Sequence, residues 1–102
     1  MKTQTSIEVE KILQVQRDKI LEVAERHGAR NVRVFGSVVR GEAIAESDID
    51  LLVDLGETLS AWFPMGLIHE LEALLNRKVD VVTEKTLHPL IRDRVLQEAK
   101  PL

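Results

Sequence analysis

Gly36-Ser37, a gap of ten residues, and then Asp48-Ile49-Asp50-Leu51-Leu52-Val53-Asp54 form the stretch that decides how this chain is read. A Gly-Ser turn closes one short apolar run, and two aspartates two residues apart open another. Side chains two apart on a strand share a face, so Asp48 and Asp50 can close on one divalent cation while Ile49, Leu51 and Val53 turn to the core. Hard cations such as Mg²⁺ take oxygen ligands, commonly one or two carboxylates together with substrate phosphates. Gly36 lets the backbone approach a polyphosphate closely. A helix opening at Ser37 would aim unpaired N–H groups at it, with the Ser37 hydroxyl alongside. Together these parts suit transfer of a phosphoryl or nucleotidyl group.

Outward from that stretch, Val32 to Phe35 reads as the strand entering the turn, and Ser37 to about Glu42 as a short helix or turn ended by Gly41. Ile49 to Leu55 is a strand whose Leu51-Leu52-Val53 suggests burial on both faces. Ser60 is a candidate N-cap for a helix whose stripe of Leu67, Ile68, Leu71, Leu74 and Leu75 runs up to Asn76. Lys78-Val79-Asp80-Val81-Val82-Thr83 is a third strand, and Pro89 stands near the start of a last helix reaching about Ala99.

Upstream, about Ser6 to His27 reads as one long helix. Val9, Ile12, Leu13, Gln16, Ile20, Val23, Ala24 and His27 recur at three- and four-residue steps, Thr5 with Glu8 offers a capping box, and Gly28 offers the stop. The expected order is α, β, short α, β, α, β, α.

Length and composition bound the rest. The 102 residues are expected to form one domain over 1–102, with a supporting helix in 1–28 and the functional core in 32–99. A hydrophobic fraction of 44% with 30% charged residues is ordinary for a soluble globular chain. A net charge of -3 does not suggest a basic nucleic-acid binder, and no direct nucleic-acid binding is expected. Without cysteine there is no disulfide, thiolate nucleophile or thiolate zinc site. No apolar run has membrane-spanning length, and Met1-Lys2-Thr3-Gln4-Thr5 lacks a signal peptide's apolar core, so a cytoplasmic location without membrane association is expected.

Asp80 supplies what the first two strands lack. It alternates with Val79 and Val81 and so leaves the opposite face of its strand. If that strand lies beside Ile49 to Leu55, Asp48, Asp50 and Asp80 could together hold two metal ions, one activating an attacking hydroxyl and one stabilising a leaving pyrophosphate.

The run Gly36-Ser37-Val38-Val39-Arg40-Gly41-Glu42-Ala43 followed by Ser47-Asp48-Ile49-Asp50-Leu51-Leu52-Val53 resembles the polymerase-beta-like nucleotidyltransferase superfamily. Within it, the chain looks like the minimal nucleotidyltransferases, antitoxins paired with HEPN-domain ribonuclease toxins. The likeness runs from about Val32 through Lys78-Val79-Asp80-Val81-Val82 to Glu98-Ala99. It implies an α+β fold, a small mixed sheet of three to four strands backed by helices. It also implies Mg²⁺ as cofactor, ATP as donor, and transfer of AMP to a tyrosine hydroxyl of a partner HEPN toxin in a hetero-oligomer. By the same likeness Gly36 and Ser37 match the triphosphate-binding turn, Asp48 and Asp50 the metal pair, Asp80 the third carboxylate, and Arg40 a phosphate contact. Asn76 stands where glycine is common, and Asn tolerates the left-handed conformation.

Plainer readings stand beside these. Asp-x-Asp can be a solvated strand end, Gly36-Ser37 only a turn, and Arg40 a surface ion-pair partner of Glu42 or Glu46. An EF-hand is excluded, because Leu52 and Val53 fall where a ligand and a glycine are needed, in that order. His27, His69 and His88 are spaced unlike metal ligands and read as surface or helix-end residues. Trp62 and Phe63, beside Pro64 and Met65, fit either the core or a partner-covered patch. For function, an adenylyltransferase competes with a toxin-binding module that needs no catalysis. Nucleotide addition to RNA is disfavoured by the acidic charge and the lack of tyrosine.

Overall fold

The computed structural model describes residues 1–102. Its elements in chain order are α1 (Gln4–Val15), α2 (Arg17–Arg26), β1 (Ala29–Phe35), α3 (Ser37–Arg40), β2 (Ile49–Leu55), α4 (Met65–Leu75), β3 (Val79–Val82), α5 (Pro89–Glu98) and β4 (Lys100–Pro101), with a single 3₁₀ turn at Glu84–Thr86. The strands form one mixed sheet in the order β3-β2-β1-β4. β1 runs antiparallel to both β2 and β4, whereas β2 and β3 are parallel. Two parallel neighbours need a crossover, and α4 supplies it. The expected α+β fold is the observed one.

Apolar side chains on the two faces of β2 divide the interior. Ile49, Leu51 and Val53 join Val9, Leu13 and Ile20 of the N-terminal helices, and Leu67, Leu71 and Leu75 of α4, in the main core. Leu52 faces the other way and packs with Phe35, Leu87 and Val95 beneath α5. The four residues from Ile49 to Val53 other than Asp50 are at most 1% exposed, so β2 is the central buried strand that its Leu51-Leu52-Val53 run foretold.

Several boundaries differ from the sequence expectation. The long N-terminal helix is two helices that meet at Gln16, where the backbone leaves helical geometry (φ -96, ψ 7). The halves serve different neighbours, α1 packing on α3 and α2 on β1 and α4, and the chain bends to meet both. Periodicity passes through such a bend unchanged because apolar residues continue on the same side.

Thr3, not Thr5, caps α1, its Oγ1 accepting the Ser6 N–H at 3.1 Å. Thr3 also donates its own N–H to Gly41 O at 2.9 Å, and buried Ser6 Oγ accepts the Ala43 N–H at 2.9 Å. The helix therefore starts where it can be stitched to the loop before β2. Gly28 is a positive-φ stop as expected (φ 92), and Asn76 takes the left-handed conformation at the end of α4.

Ser60 does not cap α4, which begins at Met65 after a turn. Its hydroxyl lies 2.7 Å from His27 Nδ1, while His27 Nε2 lies 3.1 Å from Glu70. His27 is thus a helix-end residue as expected, but not a surface one, since its side chain is 13% exposed and ties α2 to α4. Trp62 is 86% exposed and does not belong to the core, whereas Phe63 is partly buried against it. β4, only two residues long, carries too short a pattern to be foreseen.

Candidate active site

The Gly36 turn, the start of β2 and β3 meet on the face of the sheet that α5 covers only in part. Asp50 is the register partner of Asp80 on β3, and Phe35, the residue before the turn, is its partner on β1. Asp50 and Leu52 share a face, so the apolar cluster beneath α5 lies next to Asp50 along the strand. Asp48 immediately precedes β2 and is exposed, Asp80 is exposed, and Asp50 is half-buried. Val79 and Val81 are buried on either side of Asp80, which is the alternation the sequence predicted.

The turn is built around a missing side chain. Gly36 has φ 79 and ψ -153, a conformation that L side chains rarely adopt, and a Cβ there would overlap Asp50 Oδ2. Gly36 O accepts the Arg40 N–H at 3.1 Å, closing α3, and Gly41 ends that helix in the left-handed conformation (φ 76). α3 is a single turn, so its aligned dipoles are few and its leading N–H groups act as individual donors. The loop into β2 is pinned by Ser47, whose Oγ accepts the Ile44 N–H at 2.9 Å and so presents Asp48.

Arg40 spans two carboxylates, Nε donating to Glu42 at 2.8 Å and Nη1 to Glu98 at 2.8 Å. Of the two readings of Arg40, the ion pair with Glu42 is observed, and Glu46 takes no part in it. Glu98, near the end of the run that carries the family likeness, has no signal in the sequence that marks it as part of the site. Its other oxygen accepts the Gly36 N–H at 2.8 Å, and only 12% of its side chain is exposed. Burial opposes ionisation of Glu98, but hydrogen bonds from Arg40 and from the Gly36 backbone hold its carboxyl below the ordinary range.

Asp50 goes the other way. Burial first, and then the Asp80 and Asp48 carboxylates, push its carboxyl up to about 6 against the pull of Arg40. The half-buried Asp50 carboxylate with Asp48 and Asp80 beside it offers the hard oxygen donors that suit Mg²⁺. No three acidic or histidine side chains converge as a ready-made cage, and a cation among the carboxylates would offset the like charge that Asp48 and Asp80 place on Asp50. A cleft of about 400 Å³, lined by Leu13, Arg17, Val34 and Val38 among others, includes none of these carboxylates.

The loaded Asp50 predicts a stability effect. Because the folded chain binds this proton more tightly than the unfolded one, metal-free stability falls as pH rises from about 4 to about 6, and the full cost persists above that. Asp50→Asn flattens this segment and stabilises the metal-free protein at neutral pH by about 1 to 2 kcal/mol, after solvent screening is allowed for. Thermal melting across pH 4 to 8 checks both. A destabilised variant would show that Asp50 serves the fold.

The nucleotidyltransferase domain model matches residues 8–102. The chain belongs to the nucleotidyltransferase family. Protein adenylyltransferase MntA of Thermococcus cleftensis is 44% identical over 91 residues, covering 89% of this chain and 89% of that one. The solved structure of a provisionally named minimal nucleotidyltransferase covers 92% of this nucleotidyltransferase and 95% of its own chain, with a TM-score of 0.78 at 47% identity. A chain from the crystal structure of a toxin-antitoxin complex covers 84% of this one and 70% of its own, with a TM-score of 0.66 at 25% identity. The resemblance to the minimal nucleotidyltransferases, drawn from the Gly-Ser and Asp-x-Asp pattern, holds at the level of the family and the fold.

Proposed function

We propose that this nucleotidyltransferase is a protein adenylyltransferase antitoxin, which moves AMP from ATP to a tyrosine hydroxyl of a partner HEPN-domain toxin in the cytoplasm and thereby neutralises it. The observation that carries the reading is the in-register pairing of Asp50 with Asp80 beside the Gly36 turn, with Asp48 flanking. Relatedness to protein adenylyltransferase MntA supports the reaction, and the toxin-antitoxin relative supports the kind of partner.

Asp48, Asp50 and Asp80 would hold Mg²⁺, two ions in the full site. Bound there, Mg²⁺ supplies neutralisation of the triphosphate and a lowered pKa for the attacking hydroxyl. The Gly36 turn, with the Ser37 hydroxyl and the leading N–H groups of α3, receives the phosphates. Arg40, one helical turn behind and paired with Glu42 and Glu98, would contribute its positive charge to the phosphates. The acceptor oxygen bonds to the α-phosphorus as the bond to the bridging oxygen of the β-phosphate breaks, pyrophosphate leaves, and solvent takes the hydroxyl proton. Positioning and charge stabilisation account for such a reaction without a covalent enzyme intermediate.

The test is label position. ATP labelled at the α-phosphate marks the partner, and ATP labelled at the γ-phosphate does not. The opposite pattern makes the reaction phosphoryl transfer and removes the proposal.

A second reading, neutralisation by binding alone, is favoured by one feature, the exposed Trp62 with Met65 at 48% exposure nearby in sequence. Trp62→Ala is expected to leave stability within about 0.5 kcal/mol, since the indole touches little of the fold. If the indole anchors the partner, affinity falls by about 2 kcal/mol. Melting measured beside a partner titration reads both, and an unaltered affinity would place the interface elsewhere.

A further inference from the structure

We propose that Glu98 is a positioning residue for ATP, a carboxylate that sets the Gly36 turn and Arg40 in the geometry that receives the triphosphate. The inference rests on the reading of the site given under Proposed function and adds a residue that this reading does not use.

Three observations converge on Glu98. One of its oxygens accepts the Gly36 N–H and the other accepts Arg40 Nη1, both at 2.8 Å, so a single carboxylate bridges the two ends of α3. It is fixed on both sides: Val95 of α5 is buried in the cluster with Phe35 and Leu52, and β4 pairs with Arg33 and Val34 directly after it. Finally, Gly36 has no freedom to spare. Its N–H goes to Glu98, its O to the Arg40 N–H, and the place of its absent Cβ is taken by Asp50 Oδ2. A rotation of the Gly36 peptide would therefore move the turn against Asp50.

The expected sign separates positioning from charge. An anion near a polyphosphate site repels the ligand, so removing an idle carboxylate would tighten ATP binding. Removing one that holds the donors in place loosens it, because the turn and Arg40 then sample arrangements that cannot bind. Arg40 without Glu98 also keeps its bond to Glu42, which draws the guanidinium away from α5.

The experiment is calorimetric titration of ATP with Mg²⁺ into the wild type, Glu98→Gln, Glu98→Ala and Asp50→Asn, with melting of each. Glu98→Gln keeps the shape and one acceptor for the Gly36 N–H but loses the negative charge that pairs with Arg40, and Kd rises about threefold. Glu98→Ala loses both bonds and Kd rises about tenfold or more, as expected for charge-assisted hydrogen bonds. A merely structural role lowers the number of competent sites and the melting temperature but leaves Kd alone. Unchanged or tighter binding in both Glu98 variants overturns the inference. If the alanine variant fails to fold, the isosteric Glu98→Gln decides by the same criterion. Absence of ATP binding by the wild type, or wild-type binding and transfer by Asp50→Asn, would instead remove the reading of the site itself.

Discussion

Asp50→Asn lowers AMP transfer by about three orders of magnitude or more, a loss of roughly 4 kcal/mol of transition-state stabilisation. Asp50 is the central member of the cluster. It faces Asp80 across the β2–β3 pair, stands two residues from Asp48, and touches the space over Gly36. An amide keeps its shape but offers a cation one neutral oxygen in place of a charge. The same substitution is expected to make the metal-free protein more stable, because it removes the carboxyl that burial and its neighbours push up to about 6. Opposite signs for activity and stability mark a residue kept for chemistry, and the pair of measurements is stronger than either alone. Quenched-flow or gel-based transfer assays under saturating ATP, run beside thermal melting, read both. Activity within tenfold of wild type would sink the assignment of Asp50.

Gly36→Ala is the second large effect. The new Cβ would overlap the Asp50 carboxylate, and φ 79 is itself strained for alanine. Either the turn or the carboxylate must move, and both belong to the site. Stability is expected to fall by about 2 kcal/mol or more, and transfer by about a hundredfold or more beyond the loss of folded protein. Ser37→Ala, which removes one hydroxyl and keeps the backbone, is expected to be milder on both counts. A Gly36→Ala variant that is stable and active, beside an inactive Ser37→Ala, would reverse the roles given to the two residues.

The parts that sequence made readable are those fixed by near neighbours in the chain. β2 runs from Ile49 to Leu55 as expected, because a strand buried on both faces must be apolar on both. Asn76 and Gly41 end their helices because few residues tolerate the left-handed conformation found there. Asp80 falls opposite Asp50 because alternation fixes its face and the parallel crossover fixes its neighbour.

What escaped the sequence is set by distant partners. Glu98 meets Gly36 across 62 residues, and a glutamate near the end of a helix looks like any solvated charge until the helix is docked. Thr3 caps α1 in place of Thr5 because Gly41 and Ala43 wait beside it, and no local pattern records that. Ser60 was offered to α4 by its residue type and is taken instead by His27, 33 residues away. The bend at Gln16 follows from two packing surfaces rather than from any helix breaker.

The central claim is that these carboxylates and this turn transfer AMP to a protein hydroxyl. Intact-mass analysis of the co-purified partner after incubation with ATP and Mg²⁺ tests it most directly. The partner is expected to gain whole adenylyl masses with the wild type and none with Asp50→Asn, although the variant still binds it. A partner whose mass does not change with the wild-type protein, while its toxicity is nonetheless suppressed, would contradict the claim and leave neutralisation to binding alone.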